Sequence, residues 1–216
     1  MIERSKASKL VYLPVTSFVQ NVASRAPVPG GGSVAALEGS LGAGLYVMVC
    51  RLSETRVSEA DGGYFREIAN AGMALRDRLR GLVDADSDAY EEVIGAARLP
   101  EDTEEERTEK SSRLEKANRK AAGVPFETAS ACLDGLKWGE ELAGKCFEGA
   151  VTDVGVGAQS LLSGYIAARL NVLVNLAGMN DEKEAGKMRS FLDENLAWAK
   201  KTTEAVLDIV EKRIAG

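Results

Sequence analysis

The chain has 216 residues, 45% of them hydrophobic, enough for a substantial core, and a formal net charge of −6, which argues against nucleic acid or an anionic membrane as the main partner. It contains no histidine, which excludes a Ser-His-Asp triad, a histidine base and the usual His-rich zinc site. Acid–base work therefore falls to Asp, Glu, Lys, Tyr or Cys, and the expected partners are small molecules or protein.

Along the chain, helical periodicity recurs and no convincing alternation of apolar and polar β-branched residues is found, so the expectation is an all-α single domain over residues 1–216. The opening MIERSKASKL has charge but no apolar h-region, and no 18-residue apolar run is free of charges or several polar groups. Neither export nor membrane insertion is expected. A first helix is predicted from Thr16 or Ser17 to Ala26, with Phe18, Val19 and Val22 inward and Pro27 and Pro29 ending it. A second begins at the glycines after Pro29 and runs to about Ser53, with Val34, Leu37, Leu41, Leu45, Met48 and Leu52 as its inward stripe. The third spans about Asp61 to Arg98. Thr103 and Glu106 then fit a capping box opening a solvated, charged helix to about Lys120, and Gly123 and Pro125 predict a kink or restart before Phe126 to Cys146. A very apolar helix follows over about Val151 to Leu176. The last starts near Asp181 or Glu184, with Met188, Leu192, Leu196, Ala199, Val206 and Val210 inward. Cys50, Cys132 and Cys146 fit neither a CxxC motif nor a disulfide framework and read as free thiols of a reducing cytoplasm.

Three stretches carry chemistry. The first is Pro29-Gly30-Gly31-Gly32-Ser33, where glycines let backbone adopt φ > 0 and turn several N–H groups, with the positive end of a helix, toward an anion. The bland alternative is a flexible entry turn with Ser33 as N-cap. Inside the helix, Gly39, Gly42, Ala43 and Gly44 read as a surface for close helix packing, and Glu38 stands alone among small neighbours that leave room around it. The second stretch is LVDADSDAYEEVI. It fails as a calcium loop, because its sixth position is Ala89 and its twelfth is Gly95. As a helix, it sets Asp86 and Tyr90 on the stripe of Ile68, Leu75, Leu79, Leu82 and Val93, while Asp84 and Asp88 fall on a face expected to be solvated. Asp86 points inward or into a cleft, where a carboxylate must be paired, hydrogen-bonded or protonated. In the third stretch, Asp153, Gly157, Ser160, Gly164, Ala168, Asn171 and Asn175 form a polar-and-small groove opposite Val154, Ala158, Leu161, Tyr165, Val172 and Leu176. Asp153 reads either as an N-terminal capping acid or as a functional carboxylate in apolar company. The two asparagines suit cross-helix hydrogen bonds or recognition of a polar heterocycle.

The ordered set Pro29-Gly30-Gly31-Gly32-Ser33, Asp84-x-Asp86-x-x-Ala89-Tyr90, Arg98-Leu99-Pro100 with Thr103 to Glu106, Val124-Pro125, Thr152-Asp153-Val154-Gly155-Val156 and Leu170-Asn171-Val172 resembles the formiminotetrahydrofolate cyclodeaminase/methenyltetrahydrofolate cyclohydrolase family. The resemblance implies a dimer-forming, all-helical bundle of about six helices that binds a reduced folate and closes or opens a one-carbon bridge between its N5 and N10. It implies Asp153 and Asp86 as candidate catalytic acids. Pro29, Gly30, Gly31, Gly32, Ser33, Glu38, Asp84, Tyr90, Asn171 and Asn175 become candidate substrate-binding residues, with no metal and no cofactor beyond the tetrahydrofolate substrate. The alternatives of other classes are a helical scaffold or folate-binding protein without chemistry and an anion-binding module for phosphorylated metabolites.

Overall fold

A computed structural model describes residues 9–216; most of the opening segment tested above for a leader lies outside them. The described residues form α-helices and short 3-10 turns with no strand among them. The helices are α1 (Val15–Val22), α2 (Gly31–Ser53), α3 (Glu59–Ala97), α4 (Glu104–Leu136), α5 (Gly139–Lys145), α6 (Val151–Asn175) and α7 (Glu182–Ala215). Several boundaries carry the local signals that set them. Ser58 caps α3 by accepting from the Asp61 amide, Thr103 and Glu106 form a reciprocal capping box on α4, and Asp181 caps α7 through the Glu184 amide.

Of the kink or restart expected at Gly123 and Pro125, the restart does not occur: α4 runs through Pro125 to Leu136 as one helix. A proline inside a helix has no N–H for the carbonyl four residues earlier. Here that carbonyl belongs to Ala121, and the Asn175 side chain donates to it at 2.6 Å. A side chain of α6 thus supplies the hydrogen bond that Pro125 lacks, and the chain turns only at Lys137–Trp138. The first helix is also shorter than predicted, and its Val19 and Val22 are exposed while Phe18 is buried.

The core is centred on α2 and α6, which run antiparallel, with α3 packed on α2 and α4 and α7 packed on α6. The predicted inward stripe of α2 is corrected. Leu41 and Met48 face solvent, and the core face consists of Ser33, Ala35, Ala36, Gly39, Gly42, Ala43, Tyr46, Val49 and Cys50. The small residues win the inside because they let two backbones meet: a Cβ on Gly42 would stand 2.7 Å from the Gly157 carbonyl, and one on Gly164 would stand 2.9 Å from that of Ala35. The groove expected on α6 is accordingly filled by α2 at Gly157 and Gly164, and the apolar residues Val154, Ala158, Leu161, Tyr165 and Val172 are buried as well. By length and hydropathy, α2 and the segment Glu148–Gly178 would be long enough to cross a membrane. The stripe predicted for α7 holds, with Leu192, Ala199, Val206 and Val210 buried. All three cysteines are free and buried.

Candidate functional site

The N-terminus of α2 points its amides at a carboxylate, and that carboxylate belongs to the protein. Gly30 is the N-cap and offers no side chain, so the cap comes from α3, where the Asp86 carboxyl accepts from the Ser33 backbone amide. Asp86 Oδ1 lies so close to the α2 backbone that a Cβ on Gly32 would collide with it. Among the described residues only Gly216 has positive φ, so these glycines do not act through left-handed backbone. They act by close approach. Val28–Pro29 is a cis peptide bond, and Pro29 is buried beneath the loop.

Ser33 is fully buried beside Asp86. Its hydroxyl lies 2.9 Å from the Val83 carbonyl, 3.1 Å from Asp86 Oδ2 and 3.1 Å from the Ser87 hydroxyl. Burial pushes the Asp86 carboxyl above the ordinary aspartate range, with the Ser33 backbone amide pulling the other way. In front of Asp86 opens a cavity of about 330 Å³. Gly30, Gly31 and Gly32 form one wall, Tyr90 and Val93 of α3 another, and Ala121, Asn171 and Asn175 the far side. The volume is at the small end of the range for small-molecule pockets, sized for a ring system more than for a long ligand.

Of the residues singled out in the sequence, the structure brings Gly30, Gly31, Gly32, Asp86, Tyr90, Asn171 and Asn175 to this cavity. Tyr90 is 40% exposed at its mouth. Asn171 donates to its own helix at the Ala167 carbonyl and lies against Gly31, while the Asn175 donor is committed to Ala121. Each amide keeps its carbonyl oxygen and a second N–H, so both can accept from a ligand and donate to it. Ser33 lies behind Asp86 rather than on the cavity wall. Asp84 is not on a solvated face: it is 7% exposed, and its Oδ1 accepts from the Leu10 amide at 2.6 Å, fastening the N-terminal segment to α3. Ser87 carried no sequence signal of its own, because a serine between two aspartates reads as part of the polar face. Ala121 was equally hidden, although a proline four residues after it marks a carbonyl in need of a donor.

Asp153 and Glu38 belong to a different place. Asp153 is half-buried in the first turn of α6, about 27 Å from Asn171 along that helix at ~1.5 Å per residue. Glu38 accepts from the Ser163 hydroxyl at 2.8 Å and lines a shallow cavity of about 470 Å³ with Thr152, Val156, Gln159 and Leu207. This second cavity lies on the outward side of α2 and α6, the side that also exposes Leu41, Val156, Leu170 and Val174. No cluster of three or more potential metal-binding side chains occurs among the described residues.

A helical bundle whose cavity sets a half-buried carboxyl at a glycine-lined helix terminus, with two side-chain amides opposite, defines a class by its architecture. The comparisons with known proteins give that class a family. Residues 14–194 match the family model described as formiminotransferase-cyclodeaminase, and the chain belongs to this family. It is 31% identical to a methenyltetrahydrofolate cyclohydrolase of Methylorubrum extorquens, covering 93% of this chain and 97% of that one. It is 32% identical to the formimidoyltransferase-cyclodeaminase of Sus scrofa over 99% of this chain, but spans only 40% of that longer protein. The fold matches the crystal structure of formiminotetrahydrofolate cyclodeaminase from Thermotoga maritima with a TM-score of 0.76 and 26% identity, covering 96% of this chain and 98% of the other.

Proposed function

We propose that this chain is a folate one-carbon enzyme that converts 5-formiminotetrahydrofolate to 5,10-methenyltetrahydrofolate with release of ammonia. The observation that carries the reading is Asp86, a carboxyl whose burial favours the protonated form, at the wall of a ring-sized cavity. N10 of the folate attacks the formimino carbon on N5, forming the N10–C bond. In the protonated, amidine-like formimino group the departing nitrogen is already NH2; N10 then loses its proton, the NH2 gains one, and the C–N bond breaks as ammonia departs, leaving the methenyl cation. A carboxyl that gives a proton to the leaving nitrogen and takes one from N10 serves both transfers. Both reacting atoms belong to one molecule, so holding the ring supplies part of the rate by positioning alone. The carbonyl oxygens of Asn171 and Asn175 would accept from the N–H edge of the pterin. The reaction calls for no metal and no further cofactor.

The second reading is hydrolysis of methenyltetrahydrofolate to 10-formyltetrahydrofolate, favoured by the end-to-end match to the Methylorubrum extorquens cyclohydrolase. The two activities use the same cavity and differ in whether water is excluded or activated.

A homodimer is part of this proposal. The apolar residues left exposed on the outward side of α2 and α6 support it, as does the distance of Asp153 from Asp86. Antiparallel pairing of these faces in two copies would bring the Asp153 end of each against the Asp86 end of the other, so that both acids serve one reaction. Three free, buried thiols support a reducing cytoplasm as its location. The test is a paired assay with 5-formiminotetrahydrofolate, following methenyl absorbance and free ammonia, with methenyl hydrolysis measured separately above its spontaneous rate. Ammonia release with methenyl formation is the expected result. Hydrolysis alone would move the assignment to the cyclohydrolase, and neither activity would overturn the enzymatic reading.

A further inference from the structure

Three oxygens converge on the Ser33 hydroxyl, and a hydroxyl has one proton to give. The Val83 carbonyl, the nearest of the three, can only accept. If Asp86 were ionised, its Oδ2 could also only accept, and Ser33 would have to choose. Donation to Asp86 leaves two buried oxygens, Ser33 Oγ and Val83 O, 2.9 Å apart with no proton between them. Donation to Val83 leaves Ser33 Oγ and Asp86 Oδ2 in the same condition at 3.1 Å. A neutral Asp86 removes the conflict: Oδ2–H donates to Ser33 Oγ, Ser33 donates to Val83 O, and Ser87 fills the second lone pair of Ser33. Oδ1 then remains a carbonyl oxygen facing the α2 backbone at Gly32, and the carboxyl still accepts from the Ser33 amide.

Resting on the cyclodeaminase reading, we propose that Ser33, backed by Ser87, is a positioning residue that holds Asp86 as a neutral acid before substrate arrives, so that the proton for the leaving nitrogen is already in the site. The charges around Asp86 leave this arrangement undisturbed. On α2 the nearest titratable side chain is Glu38, which is turned toward Ser163 of α6. On α6 the cavity presents the neutral Asn171 and Asn175, and Arg169 is paired with Asp193 of α7. On α4, Lys120 is bound to Glu92 of α3 at 2.6 Å. On α3 itself, Asp84 holds the Leu10 amide, Tyr90 lies one turn on, and Asp88 has interactions of its own. Burial acts in the same direction as the proton count.

The sign of one substitution separates this arrangement from a serine donating to an ionised carboxylate. Substrate-free protein labelled with carbon-13 at the aspartate carboxyls would be titrated by NMR, with the Asp86 signal assigned by its loss in Asp86→Asn. Asp86 is expected to stay protonated after the exposed aspartates have titrated, and Ser33→Ala is expected to move its midpoint to lower pH, because the neutral form loses its acceptor. In the active enzyme the basic limb of kcat/KM should move to lower pH in the same variant. An Asp86 that titrates with the other aspartates in the wild type would overturn the proposal, as would a Ser33→Ala midpoint displaced upward. Because the titration needs no substrate, a protein that holds Asp86 neutral yet releases no ammonia would defeat the functional reading alone. Turnover with an ordinary Asp86 would defeat this proposal alone.

Discussion

The two ends of the α2–α6 pair are built from the same small-residue seam and differ in what closes them. At the Asp86 end, the third helix supplies a carboxyl that caps α2, the glycines let it come against the backbone, and a ring-sized cavity remains in front of it. At the Asp153 end, the acid lies in the first turn of its own helix, and the nearby cavity is a shallow depression on an apolar outer face. One end holds a cavity walled by helices of the same chain, and the other a depression open on the outer face. The difference teaches that a stretch of glycine and alanine can serve catalysis indirectly, by setting how closely a neighbouring helix brings its acid.

The sharpest way to break this comparison is to neutralise each acid. Asp86→Asn is expected to lower turnover at least ~100-fold, the scale of a lost general acid, with helicity unchanged by circular dichroism. Asp153→Asn should also lose turnover, and mixing the two inactive variants under conditions that exchange subunits should restore activity. A hybrid dimer would then hold one site with both acids intact. No recovery in hybrids shown to have formed would confine the reaction to one chain.

Next in size is the seam itself. Gly32→Ala forces a methyl into Asp86 and should cost about 1–3 kcal/mol in urea unfolding, the scale of an overpacked core. Gly81→Ala, on an exposed position of α3 with open space around it, should instead stabilise by roughly 0.5–1 kcal/mol.

A smaller effect is the pH dependence of stability. The folded value of Asp86 is raised above its unfolded one, so the folded state keeps this proton longer. Its contribution to stability is full below the ordinary aspartate range and is lost as pH rises through the raised folded value. The difference in urea midpoint between wild type and Asp86→Asn, measured against pH, should follow that fall. The smallest expected signal is at Cys50, which burial and the neighbouring Cys146 push up to about 12. Its thiol should resist alkylation at pH 8 in the folded protein and react on unfolding.

The helical fold was legible because its periodicity is strong and its caps at Thr103 and Asp181 are local signals. The facing of α2 was not. A hydrophobic stripe at helical spacing normally turns inward, yet Leu41 and Met48 lost the core to glycine and alanine, whose advantage is visible only once a second backbone lies against them. Pro125 misled for a related reason, since the donor that rescues the Ala121 carbonyl comes from Asn175, on another helix. The inward placement of Asp86 followed from its stripe. Its partners did not, because Ser33 and Ser87 meet only through the crossing of α2 and α3. Asp84, judged solvated by helical phase, is buried because the N-terminal segment folds back over it.

The most direct test of the assignment is single-turnover conversion of 5-formiminotetrahydrofolate by wild type and Asp86→Asn at equal substrate occupancy, following methenyl formation and ammonia together. The expected result is stoichiometric release of both by the wild type and a loss of at least ~100-fold in the variant with substrate still bound. Equal rates in the two proteins would contradict the placement of the reaction at Asp86.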